Sequence, residues 1–293
     1  MSARTRPSIR RALLDPLLRD LASARTDPGW QAPGGNRWLA AIGATALLLA
    51  ALLYAATGPH GLFQPINALG YFGPDALWAS LTSLGGTLTA LVPALVFARR
   101  YPGLLWALLI ALLVGGGLSH GLKELLDTAR PPAVLDGGSF HLIGPAYQAH
   151  STPSGHTITA FTLACIAIRF ARTVRWRAAW VIAAALVGTS RVIVGVHWPL
   201  DVLLGAATGA FAAWLTLLIA DAWRVGLRPL PHLLLVAFWC LLALALLVHG
   251  GDYAAARPLG ILLAAGALAT AFNDYVLAPL RAANAGRLRH DSD

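Results

Sequence analysis

Charge is scarce in this chain: 12% of its 293 residues are Asp, Glu, Lys or Arg, while 57% are hydrophobic. Soluble domains carry about twice that charged fraction, so an ordinary water-soluble globule is excluded and a polytopic membrane protein remains. Lysine is almost missing. Lys123 is the only one, and the remaining basic residues are all arginine. The two cysteines, Cys165 and Cys240, lie in apolar runs and read as packing residues; they carry no inference about redox compartment. Polar stretches long enough for a second globular domain are also absent, as are internal repeats.

Apolar runs of roughly 20 residues, the length that crosses a bilayer, recur at about 38–57, 75–98, 103–122, 155–171, 178–196, 199–223, 232–249 and 258–280. The expected fold is all-α with short loops. A net charge of +9 invites a nucleic-acid partner, but its distribution argues otherwise. If the spans alternate, only Lys123, Arg130, Arg191 and Arg257 fall on one side and every other basic residue falls on the opposite side. The positive-inside rule then places both termini in the cytoplasm, so basicity encodes topology and no nucleic acid is implied.

Residues 1–37 form an Arg-rich tail in which Ile9, Leu13, Leu14, Leu17, Leu18 and Leu21 recur at helical spacing. They predict either a cationic helix on the inner leaflet or a solvated tail. The first apolar run is span-length and reads as an uncleaved anchor. Thr82, Ser83, Thr87 and Thr89 with Gly85-Gly86 suit close helix packing in the second span, and Gly205-x-x-x-Gly209 does so in the sixth. The outer loop 132–153 holds His141, Tyr147, Gln148 and His150, either rimming a substrate mouth or simply exposed to solvent. Asn273-Asp274 reads as a helix end, and Asp252 and Arg257 as ordinary loop charges.

Three polar segments interrupt the apolar pattern: Lys123 to Pro131, Pro153 to His156, and Ser190 to Asp201. Span arithmetic brings all three to the outer face. Charged groups at the bilayer edge are expensive and mark a functional site by default, although a cluster of snorkelling side chains is the plainer alternative. Pro199 suits the first turn of a helix, which sets His197 just outside it and Asp201 in its first turn. An Asp-oriented His is a nucleophile or a general base. Lys123, Arg130 and Arg191 gather against the positive-inside trend and need an anion, and phosphate fits guanidinium forks. Ser154-Gly155 at a helix start adds backbone N–H groups and close approach. With His156 beside them, two histidines over one phosphate suggest that one attacks and the other protonates the departing oxygen.

Lys123-x6-Arg130-Pro131, Pro153-Ser154-Gly155-His156 and Ser190-Arg191-x5-His197-x3-Asp201 together resemble the three-part signature of the type-2 phosphatidic acid phosphatase superfamily. The resemblance implies a six-helix phosphatase core at 38–225, with two extra C-terminal transmembrane helices at 226–280 and tails at 1–37 and 281–293. It further implies His197 as nucleophile forming a phosphohistidine, Asp201 orienting it, and His156 as the acid. Lys123, Arg130, Ser154, Gly155, Ser190 and Arg191 would bind the phosphoryl group. No metal and no cofactor are expected. The expected activity is hydrolysis of a membrane lipid phosphate or pyrophosphate, of the undecaprenyl pyrophosphate or phosphatidylglycerol phosphate type. It would occur at the periplasmic side of a bacterial cytoplasmic (inner) membrane. The alternatives are a lipid A phosphatase or lipid-to-lipid phosphotransferase with the same site, a phosphatase for soluble phosphates, and a transporter or inactive binding scaffold. The sequence leaves the oligomeric state unassigned.

Overall fold

A computed structural model describes residues 9–26, 32–282 and 284. Expectations for the first eight residues and for most of the tail 281–293 lie outside the described residues. The described chain is helical, with no strand. Helix α1 (Ile9–Thr26) precedes α2 (Gly35–Thr57), the first span. A short α3 (Phe63–Asn67) leads to α4 (Asp75–Ser83) and α5 (Thr87–Leu91), which tightens into a 3-10 turn over Val92–Phe97. Then come α6 (Gly103–Leu126), the single-turn α7 (Pro131–Val134), α8 (Gly155–Phe170), α9 (Val174–Ile193) and α10 (Pro199–Ala222). Finally α11 (Pro229–His249) pairs with α12 (Arg257–Phe272), which continues through a π-helical turn at Asn273–Leu277.

Among the described residues six helices are long and apolar enough to cross a membrane: α2, α6, α9, α10, α11 and α12 with its continuation. All eight expected spans have a counterpart, but two depart from straight bilayer-length helices. The run 75–98 is broken between α4 and α5 and bends by 66°. Gly85 explains the break: a Cβ there would lie 2.9 Å from the Cβ of His156 and 2.8 Å from Val187 Cγ1. Only a glycine backbone comes this close to the start of α8. Helix α8 itself has 16 residues, about 24 Å at 1.5 Å per residue. It is enclosed by α2, α6, α9 and α10.

Helix α10 is the axis of the bundle, touching α2, α6, α8 and α9. In lipid, helices associate through close packing rather than through exclusion of water, so small residues line such contacts. The Gly-x-x-x-Gly step performs that role. A Cβ on Gly209 would stand 2.7 Å from Ile158 O, and one on Gly205 would stand 2.9 Å from Ser154 O. Helices α11 and α12 pack on the 3-10 turn after α5, and Trp239, fully buried, donates its indole N–H to Leu91 O at 3.0 Å.

Helix α1 takes the helical form that one of the two sequence expectations names, and part of its apolar stripe meets the bundle. Leu17, Leu21 and Ala24 are buried against Leu227 and Tyr275, and Asp20 pairs with Arg99 Nε at 2.8 Å. Leu18, in the same stripe, stays exposed. At the opposite end of the bundle Asn67, 1% exposed, clamps the loop after α7. Its amide donates to His141 O, Val192 O and Ile193 O at 2.8–3.1 Å, and its carbonyl accepts His141 N–H at 2.8 Å.

Candidate active site

The end of α6, the start of α8, the end of α9 and the start of α10 meet beneath that clamped loop. Trp198 caps α10, Pro199 occupies its first turn, and Asp201 accepts the Trp198 N–H at 2.8 Å. This cap fixes the Asp201 carboxylate facing the residue just outside the helix. His197 Nδ1 lies 3.2 Å from Asp201 Oδ2. Ser151 and Thr152 hydroxyls donate to the two carboxylate oxygens, each at 2.5 Å. Every one of these donors favours an ionised Asp201, and an ionised Asp201 assigns the Nδ1 proton of His197. The lone pair is then on Nε2, 3.3 Å from Arg130 Nη1. His197 is 1% exposed, and burial pushes it down to about 3, opposed by its bond to Asp201. The ring is therefore neutral, as a nucleophile requires.

The cations surround this ring from separate elements. Arg130 precedes α7, donating from Nε to Ala149 O at 2.8 Å and from Nη2 to His150 O at 3.3 Å, and its guanidinium lies 5.0 Å from the Tyr147 ring centroid. Those contacts spend its outer edge on the loop and direct Nη1 to His197. Arg191, on the last turn of α9, is 2% exposed. Its Nη1 donates to Thr82 Oγ1 at 2.8 Å and Tyr253 OH at 2.9 Å, while its Nε is buried without a protein partner. Lys123, half-buried on the last turn of α6, lies within electrostatic range of Arg130, Arg191 and Asp201.

Ser154 is the N-cap of α8, with its Oγ buried and unpartnered, and its N–H bonds Asp201 O at 3.0 Å. Gly155 begins the helix, and a Cβ on it would approach only Ser119 Oγ, at 3.4 Å. Ser190 is buried in the same place, but its hydroxyl donates to Val187 O at 2.6 Å within α9. His156 follows Gly155 and is half-buried, in electrostatic range of His197 and Arg191. It lines a cavity of about 200 Å³ between α6, α8 and the α4–α5 break, bounded by Gly85, Thr87, Ala111, Gly115 and Thr159. Among the described residues no group of three or more His, Cys, Asp or Glu side chains is arranged to hold a metal ion.

All nine residues singled out in the sequence thus fall in this one region. Four further residues reach the site. Ser151 and Thr152 stand directly before the Pro153-Ser154-Gly155-His156 segment, where hydroxyls beside a motif are a usable signal. Thr82 belongs by sequence pattern to the packing residues of the second span. Tyr253 lies in a loop whose charges, Asp252 and Arg257, carry no motif.

The sequence pattern of the PAP2 superfamily matches residues 104–225. The lipid A 1-phosphatase of Rhizobium johnstonii is 32% identical over 230 residues, covering 70% of this chain and 90% of that protein. The undecaprenyl-diphosphatase of Sulfolobus acidocaldarius is 30% identical over 152 residues, 52% of this chain and 67% of that protein. The crystal structure of Aquifex aeolicus LpxE aligns at 28% identity with a TM-score of 0.43, covering 58% of this chain and 93% of that one. With a 32% identical relative matched over nine-tenths of its length, the chain belongs to the PAP2 superfamily of membrane lipid phosphatases and is a hydrolase of phosphate esters.

Proposed function

We propose that the protein removes a phosphoryl group from a lipid headgroup through a covalent phosphohistidine, without a metal. The carrying observation is the imidazole of His197, held by Asp201 on one nitrogen and facing Arg130 with the other. In the first step Nε2 attacks phosphorus and the bond to the leaving oxygen breaks, with His156 supplying that oxygen's proton. In the second, water attacks the phosphohistidine while His156 takes a proton, and inorganic phosphate departs with the His197 lone pair restored. Arg130, Arg191, Lys123 and the α8 N-terminus stabilise charge on the phosphoryl oxygens throughout. Ser190 contributes as an acceptor and through packing, its proton being engaged at Val187 O.

The substrate class proposed is a lipid phosphate monoester or pyrophosphate, with lipid A 1-phosphate first and undecaprenyl pyrophosphate second. The coverage of the lipid A 1-phosphatase relative supports this order, which reverses the order drawn from sequence. The cavity beside His156, lined also by Ser119, Gly155 and Thr159, supports space for a leaving group next to the proposed acid. The charge asymmetry of the loops supports a site at the outer face with both termini cytoplasmic. Residues 38–225 are proposed as the phosphatase core and 226–280 as an added pair of spans.

The test is phosphate release by detergent-purified protein from lipid A, undecaprenyl pyrophosphate, phosphatidylglycerol phosphate and phosphatidic acid, with excess chelator, beside His197→Ala. Release that survives chelator and vanishes in the variant is expected, with trapped radiolabelled phosphate on wild-type protein after acid-free quench. Undiminished release by His197→Ala would overturn the mechanism. Loss of release in chelator would overturn its metal independence.

A further inference from the structure

We propose that Tyr253 is a positioning residue of the phosphate cage, holding Arg191 so that the Nε side of its guanidinium faces the substrate. The proposal rests on the reading of Arg191 as a phosphate ligand. It gives the α11–α12 pair, outside the region matched by the family pattern, a part in the chemistry.

The guanidinium of Arg191 is deeply buried, and among the described residues it makes no ion pair with a carboxylate. A buried cation without a counter-charge is costly unless hydrogen bonds and an anion meet it. Two neutral oxygens meet Nη1: Thr82 Oγ1, from the broken span, and the phenol oxygen of Tyr253. With Nη1 spoken for, the unpartnered Nε marks the edge left for an anion. A planar fork is useful only in one orientation, so whatever fixes Nη1 also aims Nε.

Tyr253 is itself fixed. It is 3% exposed and sits just before the 3-10 turn Ala254–Ala256 that joins α11 to α12. Its ring packs among Ala79, Ile143, Val194, Val196 and Ala256. The clamped outer loop presses on it at Gly144 (φ +85), where a Cβ would fall 2.5 Å from Tyr253 Cε1. The Arg191 Cζ stands 5.9 Å from the ring centroid, while its Nη1 bonds the phenol oxygen at 2.9 Å. Tyr253 is therefore pinned by four elements and bonds one atom of the cage. A tyrosine serving only as filler would have no need of its hydroxyl here.

A double-mutant cycle over Tyr253→Phe and Arg191→Lys tests this, with phosphate release from lipid A and from undecaprenyl pyrophosphate as readout and thermal midpoints in detergent alongside. Tyr253→Phe keeps the ring and removes one hydrogen bond to a charged group, so kcat/KM should fall roughly tenfold to a hundredfold. The fall should lie chiefly in kcat, with the thermal midpoint held. Arg191→Lys should lose more, and the double variant should be no worse than Arg191→Lys alone. Wild-type kinetics for Tyr253→Phe would overturn the proposal. So would additive losses in the double variant, which would place the tyrosine's effect outside Arg191. Wild-type rates for Arg191→Lys, or no release by the unaltered protein, would instead overturn the underlying reading of the cage.

Discussion

Replacing Asp201 separates the catalytic role of this carboxylate from its structural one. It is 1% exposed and accepts four donors: His197 Nδ1, Trp198 N, Ser151 Oγ and Thr152 Oγ1. In Asp201→Ala the Ser151 hydroxyl, 3.5 Å from His197 Nδ1, can turn to that nitrogen, but the Trp198 N–H is left without an acceptor. A stranded donor at about 1–3 kcal/mol predicts a loss of at least that size, and the cavity left by the carboxylate adds to it. Asp201→Asn behaves differently. Its carbonyl, in place of Oδ2, still meets Trp198, His197 and Ser151, and its NH2, in place of Oδ1, can donate to Thr152 as that hydroxyl turns. The fold should survive with a thermal midpoint close to wild type. What disappears is the negative charge beside an imidazole that becomes cationic on phosphorylation. Breaking a buried charge pair costs about 3–5 kcal/mol, which corresponds to roughly 10² to 10⁴-fold in turnover. The assay is phosphate release by matched amounts of folded protein. An Asn variant retaining more than about a tenth of wild-type turnover, a cost under ~1.4 kcal/mol, would refute the reasoning.

Three further outcomes are expected. His156→Ala should lose most on substrates whose leaving oxygen needs a proton and least on aryl phosphates; a uniform loss across a leaving-group series would remove His156 from the acid role. Gly209→Ala places a Cβ 2.7 Å from Ile158 O, so the α8–α10 contact must open, and a loss of about 1–3 kcal/mol should appear as a lower thermal midpoint. For pH, the folded protein holds His197 down to about 3 against an ordinary 6.5. The unfolded chain binds the extra proton between those values, so His197 makes stability rise with pH across that window and fall as acid is added below about 6.5. Melting of His197→Asn should show a shallower acid slope than wild type, and identical slopes would exclude this account.

The motif-bearing side chains were legible because each sits where a span stops, and span ends follow from apolar length alone. His197 and Asp201 were placed correctly by one proline, which dictates where α10 starts. The tilt of the second span was not legible: Gly85-Gly86 reads as packing whether the helix continues or breaks, and only the approach of His156 decides. Helix α1 was ambiguous for a different reason. An apolar stripe with arginines alongside is the same pattern whether it faces lipid or, as Leu17 and Leu21 do, protein. Tyr253 had no local signature, since its partner lies 62 positions away and is reached only through tertiary packing.

The indole bond from Trp239 to Leu91 O bears on where this protein can be cut. The family pattern ends at residue 225, which makes the last two spans look detachable. Yet Trp239 is fully buried, and its indole N–H reaches the carbonyl that heads the 3-10 turn Val92–Phe97. A chain ending near Arg228 would remove that donor and uncover the apolar residues packed around the indole, so its thermal midpoint is expected to fall below that of the full chain.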